Sequence, residues 1–485
     1  MSKTSVIYKD VAVGADEDAA TTVTGASSDS QTAKLPFGVE NEPIITTEKN
    51  AWTLGGTKIP KGNQPIAFWS SAISGADCTF ENAPEITFAF DQQYSALGIS
   101  IQFDEDDSGW GAVNIKWYQG TTLKSEKSFI PDSSLYFCSN KVTAFDKIVM
   151  SFPRTLLPHQ WLKINEILFG IVRTFDMDEL REASITNEMS LSGLELPESS
   201  FTWTLESKNN IDFMFQLKQP VTVKNNGKSI GVYFVDSSRR DSNSKYKITC
   251  HDAFGVLSEV QFDGGAYLSG ISALTLLQTV VGNSFGIVCT AEDTTLYGLL
   301  KPQTKREAIQ QIIFAWGVCA STDEDGKIHV FKPTETATTI SADVTYTGVS
   351  VETSAITTSV KVVGHTYTTT TSTTGIEING TYYKDTKTPY TVQNPNVTAS
   401  DKENVVTVED ATLVSTHNGQ AIAQRLYNYY LKRNAYTGRI VWNGEKLGDL
   451  LTMQNAWDGT HTGTIERMEF ILSNTVAVQC KNIGV

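Results

Sequence analysis

Few residues in this chain have the types and spacing that chemistry needs. Asp104-Glu105-Asp106-Asp107-Ser108-Gly109 opens like a calcium loop. Asp104, Asp106 and Ser108 fall at ligand positions one, three and five, and Gly109 supplies the turn at six. Position twelve is Ile115, where a bidentate Glu is needed. The segment also lies between predicted strands. It therefore reads as an acidic, solvated turn, with Asp104 and Asp106 as cation ligands only if the fold brings them together.

Other constellations are weaker. Two carboxylates ~5–10 Å apart across a sugar cleft would make a glycosidase, but nothing in the sequence selects a pair from 54 acidic residues. His251-Asp252 and the isolated His329, His365 and His461 suggest no triad. Neither a Gly-x-Ser-x-Gly elbow nor His-Glu-x-x-His occurs, and Gly55-Gly56-Thr57-Lys58 lacks phosphate-loop spacing. The chain is expected not to be an enzyme and to need no cofactor or metal. Sugar-binding modules stack pyranose rings on exposed aromatics, and Trp52, Trp69, Trp110 and Trp117 are available. Trp117 shares strand parity with Val113 and Ile115 and reads as core. Trp110 follows the acidic turn, and with Trp69 it is a candidate contact for a glycan or a protein partner.

The 485 residues suggest about three domains. With 40% hydrophobic and 19% charged residues the chain can build packed cores. The formal charge, 39 − 54 = −15, excludes a phosphate-neutralising surface and with it specific nucleic-acid recognition. No apolar run approaches the ~20 residues of a membrane span. The first ten residues lack a basic flank leading into an apolar core, so no secretory signal is expected. The six cysteines are scattered, without the close pairs of zinc or redox sites, and read as free buried thiols.

The elements that must position any site are mostly strands. Residues 1–36, poor in apolar side chains, are expected as a flexible N-terminal arm. In 37–164, period-two runs such as 85–91 and 112–118 recur at roughly ten-residue spacing and predict an antiparallel β-sandwich. Region 165–260 is again strands, predicted at 205–217, 231–235 and 246–250. Helices enter in 261–334, a small α/β region. Thr304-Lys305-Arg306-Glu307 forms a capping box ahead of Ala308, Ile312 and Trp316, and the helix stops at Gly317. Region 335–485 returns to strands, with an exposed hairpin at the threonine run 366–374 and one helix over 418–433. The fold class is mainly β with a small α+β part. A faint internal echo sets Ile248-Thr249-Cys250-His251-Asp252 beside Val478-Gln479-Cys480-Lys481-Asn482, as though two related barrels ended alike.

In 165–485 three stretches together resemble the hub proteins of bacteriophage tail baseplates, the tail-associated or tail-tip proteins. The first joins Ile167-Leu168-Phe169-Gly170 and Ala183-Ser184-Ile185 to Gly231-Val232-Tyr233-Phe234-Val235-Asp236-Ser237 and Tyr246-Lys247-Ile248-Thr249-Cys250-His251-Asp252. The second is the capped helix Thr304-Lys305-Arg306-Glu307-Ala308-Ile309-Gln310-Gln311-Ile312 with Asp325-Gly326-Lys327-Ile328. The third runs from Ala421-Ile422-Ala423-Gln424-Arg425-Leu426-Tyr427-Asn428-Tyr429-Tyr430 through Gly448-Asp449 to Gly463-Thr464-Ile465-Glu466-Arg467-Met468. Their order carries the likeness, which spans about two thirds of the chain.

The resemblance implies two β-barrel-like hub domains, 165–260 and 335–485, flanking the small α/β domain and preceded by the accessory β-sandwich. It implies a homotrimer whose six barrels adapt a sixfold tail tube to a threefold tip and close or gate the channel. Implied partners are distal tail or tube proteins, the tape measure protein and other baseplate or receptor-binding proteins. The implied location is the virion tail, assembled in the host cytoplasm. Family members often continue into a hydrolase or fibre, whereas this sequence closes after the second barrel, so no attached enzyme is expected. If DNA passes the ring, an acidic lumen would keep phosphates from sticking. The rivals are a carbohydrate-active enzyme and a glycan-binding adhesin built on the sandwich.

Overall fold

The computed structural model describes residues 4–12, 14–28, 30–36, 67–104, 110–207, 214–346, 348–398, 402–455, 459–472 and 476–484. The fold is mainly β, with a few short helices. It divides into two compact units, 8–174 and 1–7 with 175–485.

The unit 8–174 is built on one seven-stranded sheet. Its long strands Glu85–Phe103 and Leu135–Thr155 pair antiparallel, with register breaks between Ala89 and Gly98. Such bulges bend a strand. Its core holds Phe88, Ile101, Trp117, Phe145 and Phe152. Trp117 is buried there, on the parity shared with Val113 and Ile115.

The expected flexible arm is instead structured over most of its described length. Thr4–Val11 is a strand with Val6 and Tyr8 fully buried, and Ala20–Thr24 pairs with Glu85–Phe103. Composition misled because a threonine-rich edge strand needs few apolar side chains of its own when the sheet beside it provides the core. Of the strand expected over 205–217, residues 208–213 lie outside the described residues; Ser200–Glu206 is a strand, and 214–217 lie outside any strand.

The larger unit contains the same strand course twice. The first copy comprises β1 (Leu180–Glu188), β2 (Ser200–Glu206), β3 (Pro220–Asn225), β4 (Lys228–Ser242) and β5 (Lys245–His251), laid side by side as β1-β2-β5-β4-β3. From β5 the chain enters three helices, α1 (Ala253–Leu257), α2 (Ala273–Val281) and α3 (Lys305–Trp316). The capping box forms as the sequence predicts. Thr304 Oγ1 accepts from Glu307 N at 3.2 Å, and Glu307 Oε2 accepts from Thr304 N at 2.8 Å. Gly317, at φ 80°, ends α3 in the left-handed conformation that a side chain would resist.

The second copy starts at β6 (Ser350–Thr353) and is then interrupted. A hairpin of β7 (Ser359–Thr370) and β8 (Thr381–Gln393) and the helix α4 (Gly419–Leu431) intervene. The copy resumes with β9 (Asn434–Val441), β10 (Leu450–Asn455), β11 (Gly459–Ile471) and β12 (Ala477–Gly484), ordered β6-β9-β12-β11-β10. Region 335–485 is thus not one continuous barrel. Val360, Val362, Leu413, Ile422 and Leu426 from the interruption join Leu276, Ile309 and Ile312 of the helices in one core. The threonine-rich tip of β7 is largely exposed, with Tyr367 turned inward.

Register makes the repetition specific. Across the first copy, Ile185 faces Phe201, Phe201 faces Cys250, and Cys250 faces Val235. The second copy has the row Val351, Tyr436, Asn482, Ile465. A bulge follows at the same step, between Val235 and Ser237 and between Ile465 and Arg467. The same backbone pair closes each row. Lys218 N donates to Val235 O and Val235 N to Gln219 O, as Gly448 N does to Ile465 O and Ile465 N to Asp449 O. Cys250 therefore corresponds to Asn482, and the sequence echo that set it beside Cys480 is displaced by two residues. Two residues is one pleat, so both settings keep the same face inward.

Candidate interaction surface

The two copies are joined by strand pairing. β1 lies antiparallel to the outer half of β11, from Ser184 opposite Ile471 to Glu188 opposite Arg467. Alternation puts Ile185 and Phe470 on one buried face. Polar groups close the end of the seam. Arg467 Nη1 meets Glu188 Oε1 at 2.7 Å and Nη2 meets Glu469. Met189 N donates to Glu466 O at 3.0 Å and Leu191 N to Glu466 Oε1 at 3.2 Å.

Tyr429 Oη donates to the same carboxylate oxygen at 3.4 Å. Burial pushes both the Glu466 carboxyl and the Tyr429 phenol above their ordinary ranges, so the phenol stays a donor. Nearby, the Arg425 guanidinium is buried, donates to Phe314 O at 3.3 Å, and lies over the Phe314 ring. These groups hold a junction together; none is arranged around a space for a reacting molecule.

Two edges that correspond to this junction are open among the described residues. β6 pairs with β9 on one side and ends the sheet on the other, with all four side chains exposed. The outer half of β4, 237–242, pairs only with β5.

A cleft of about 690 Å³ is lined by Lys228, Glu324, His329, Trp442, Lys446 and Asp449 among others. Its acids are committed to structure. Glu324 holds Lys446 through both oxygens at 2.8 and 2.9 Å, and Asp449 Oδ2 accepts from Lys446 N at 2.8 Å. Asp323 Oδ1 caps the turn by accepting from the amides of Asp325 and Lys327. His329 stacks on Phe331. Glu445 Oε2, also on the lining, accepts from Asn443 N at 2.8 Å.

The residues singled out from sequence do not converge. Asp104 is buried, and its Oδ2 stands 4.0 Å from Lys163 Nζ, so an internal cation already faces it. Asp106 and Trp52 lie outside the described residues. Trp69 meets Trp161 edge-on, and Lys163 Nζ sits 4.6 Å from the Trp69 ring centroid, over one of its two faces. Trp110 leans on Phe103 at the rim of the core. Both ring nitrogens of His365 are engaged, by Asp385 Oδ2 at 2.9 Å and Glu409 O at 3.0 Å. The cysteines are free thiols, and no group of three or more His, Cys, Asp or Glu among the described residues could hold a metal ion.

Sequence reasoning missed Glu188, Glu466 and Arg467 as a unit. The last two stand in a stretch that carries the family likeness, but Glu188, the partner of Arg467, lies far upstream in the sequence, as do Met189 and Leu191, whose amides bond Glu466. Only pairing brings them together. Among the described residues, no helix is long and apolar enough to cross a membrane.

No protein-family model matches the chain, and no curated protein does. Solved structures do resemble it. The 43 kDa tail protein of prophage MuSo2 from Shewanella oneidensis is 10% identical at a TM-score of 0.45, over 64% of this chain and 96% of that one. A tail protein from Neisseria meningitidis is 11% identical at a TM-score of 0.46, over 64% of this chain and 93% of that one. An Escherichia coli type VI secretion component, described as similar to the bacteriophage T4 tail proteins gp27 and gp5, is 8% identical. It aligns at a TM-score of 0.40 over 63% of this chain and 73% of that one. The solved structures to which this chain is similar are thus phage-tail proteins and a secretion component, and at these identities the likeness assigns no role to any residue.

Proposed function

We propose that this chain is a structural hub of a phage-type tail tip. Three copies form a ring whose six β-copies meet a sixfold tail tube while the ring itself is threefold, and which closes or gates the channel. The reading is supported above all by the repeated strand course, with its row of facing residues and its bulge at the same step. Two alike units per chain are what a threefold object needs to present six alike contacts. The hydrogen-bonded acids of the cleft and the Lys163 ammonium over the Trp69 ring favour this reading over a glycosidase or a sugar-binding module.

On this reading the neighbours are tube, distal tail, tape measure and other baseplate proteins, within the virion tail. The role is structural rather than enzymatic. The net charge of −15 suits a ring that DNA passes without sticking. Native mass measurement and negative-stain imaging of the full chain test the proposal. A species of three chains with a threefold ring is expected; a single chain at every concentration overturns it.

A further inference from the structure

The α/β region between the two copies carries a small sheet with one face left over. Its strands Ile287–Cys289, Ile328–Phe331 and Cys319–Thr322 lie side by side. Ile328 and Val330 turn inward to the helices and are fully buried. Alternation therefore puts His329 and Phe331 on the other face, where Val288 and Ser321 flank His329. That face is the floor of the cleft of about 690 Å³. Ser229 and Ile230, at the start of β4, line one side, and Trp442 and Leu447, between β9 and β10, line another.

Both walls are pinned at one residue. Glu324 O accepts from Ser229 Oγ at 2.7 Å, and the Glu324 carboxylate holds Lys446. The cleft is thus pre-formed and lies within the ~300–1,000 Å³ usual for ligand sites. What its lining leaves unmatched is specific. The acids Asp323, Glu324, Glu445 and Asp449 each accept from a donor in the chain. The Lys228 and Lys332 ammonium groups are exposed and meet no acceptor among the described residues. Burial holds His329 below the usual imidazole range, and neither ring nitrogen is hydrogen-bonded among the described residues. A neutral imidazole offers one donor and one acceptor, which match the C=O and N–H of a peptide chain.

We propose that this cleft takes an extended segment of a partner protein in which an acidic residue stands beside an apolar or aromatic one. The apolar side chain lies on Val288 and on the His329 ring, which is backed by Phe331 at 4.6 Å between centroids. The carboxylate meets Lys228 and Lys332, and such charge-assisted bonds are about twice as strong as neutral ones. An acidic segment suits the site despite the net charge of −15, because the groups that lose water in the cleft are the ones that must be matched. A basic segment would leave both ammonium groups unmatched beside like charge. The inference goes beyond the ring and does not depend on it.

Selection of short random peptides, displayed on phage, against the full chain tests it. Recovered sequences are expected to set Asp or Glu next to Leu, Phe, Tyr or Trp. A synthetic copy followed by fluorescence anisotropy should bind the parent with a Kd of about 10–100 μM. It should weaken roughly tenfold or more with Lys228→Glu and Lys332→Glu together, and likewise with Val288→Asp. All three positions are exposed, so these variants should keep the parent's circular dichroism and urea midpoint. Recovery of no peptide, recovery of basic or acid-free sequences, or an affinity unchanged by either variant overturns the inference. Native mass measurement on the same samples reads the ring separately. A chain that binds the peptides yet never trimerises keeps the cleft site and loses the ring.

Discussion

The two β-copies share a hydrogen-bonding course and almost nothing else. Where the first has Trp203, fully buried and stacked on Phe201, the second has Gly438. Where the first has Val223, the second has Met453, whose sulfur and terminal methyl lie 3.3 Å from the position a Cβ on Gly438 would take. One interior is filled from its second strand and the other from its third. A sheet thus fixes where the backbone goes while side chains on neighbouring strands trade volume at near-constant packing.

The sharpest way to break that equivalence is to empty one interior. Trp203→Ala removes the ring that Phe175, Phe201 and Phe215 pack against. It is expected to lower unfolding free energy by about 3–5 kcal/mol, read from the shift of the urea midpoint by circular dichroism. Gly438→Ala in the second copy should cost less, because it only crowds Val349 Cγ2 at 3.2 Å and the flexible end of Met453 at 3.3 Å rather than emptying a core. Equal losses would mean that the copies are packed alike after all.

A second difference lies where each copy ends. β5 runs into Asp252, which is buried and caps α1 by accepting from the amides of Phe254 at 3.0 Å and Gly255 at 3.3 Å. The corresponding position is Gly484, the last residue of β12. Burial pushes the Asp252 carboxyl from 3.8 up to about 6, against the lowering effect of its hydrogen bonds. A group whose folded value is raised contributes stability that is fully present below the unfolded value and is lost as pH rises through the folded one. Between about pH 4 and 7 the fold therefore loses about 2–3 kcal/mol on account of Asp252. Asp252→Asn keeps an acceptor for the α1 amides and is expected to flatten that part of the profile, measured as urea midpoints at pH 4.5 and 7.5. An unchanged slope would show that the carboxyl ionises normally.

Much of this was legible in the sequence, and the reason is locality. The capping box of α3 and the helix over 419–431 are each set by a few adjacent residues. The mainly β character followed from period-two alternation, and Trp117 as core from parity. What stayed hidden was set by pairing. Nothing near Arg467 announces Glu188, and nothing near Ser350–Thr353 announces that its copy resumes at Asn434. The echo at Cys250 and Cys480 pointed to the repeat but missed its register, because a two-residue shift preserves the inward face and only hydrogen bonding distinguishes the settings. Asp104 looked like a ligand because a sequence shows charges and not the Lys163 ammonium that the fold sets opposite.

The smallest expected effect separates an edge already used from one still open. The outer half of β11, which has its partner, carries Met468 and Phe470 buried. The outer half of β4 offers Ser238, Arg239 and Arg240 instead, the polar dress by which unpaired edges avoid indiscriminate association. Arg467→Glu would set three acids together at the in-chain seam, with Glu188 and Glu469, and is expected to cost about 1–2 kcal/mol of folding stability. Arg239→Glu and Glu352→Arg, measured in the same urea series on dilute single chains, should each stay within about 0.5 kcal/mol of the parent. If reversing Arg239 destabilised the single chain as much as reversing Arg467, the outer half of β4 would already be a working part of the folded sheet, and its likeness to a vacant junction would be lost.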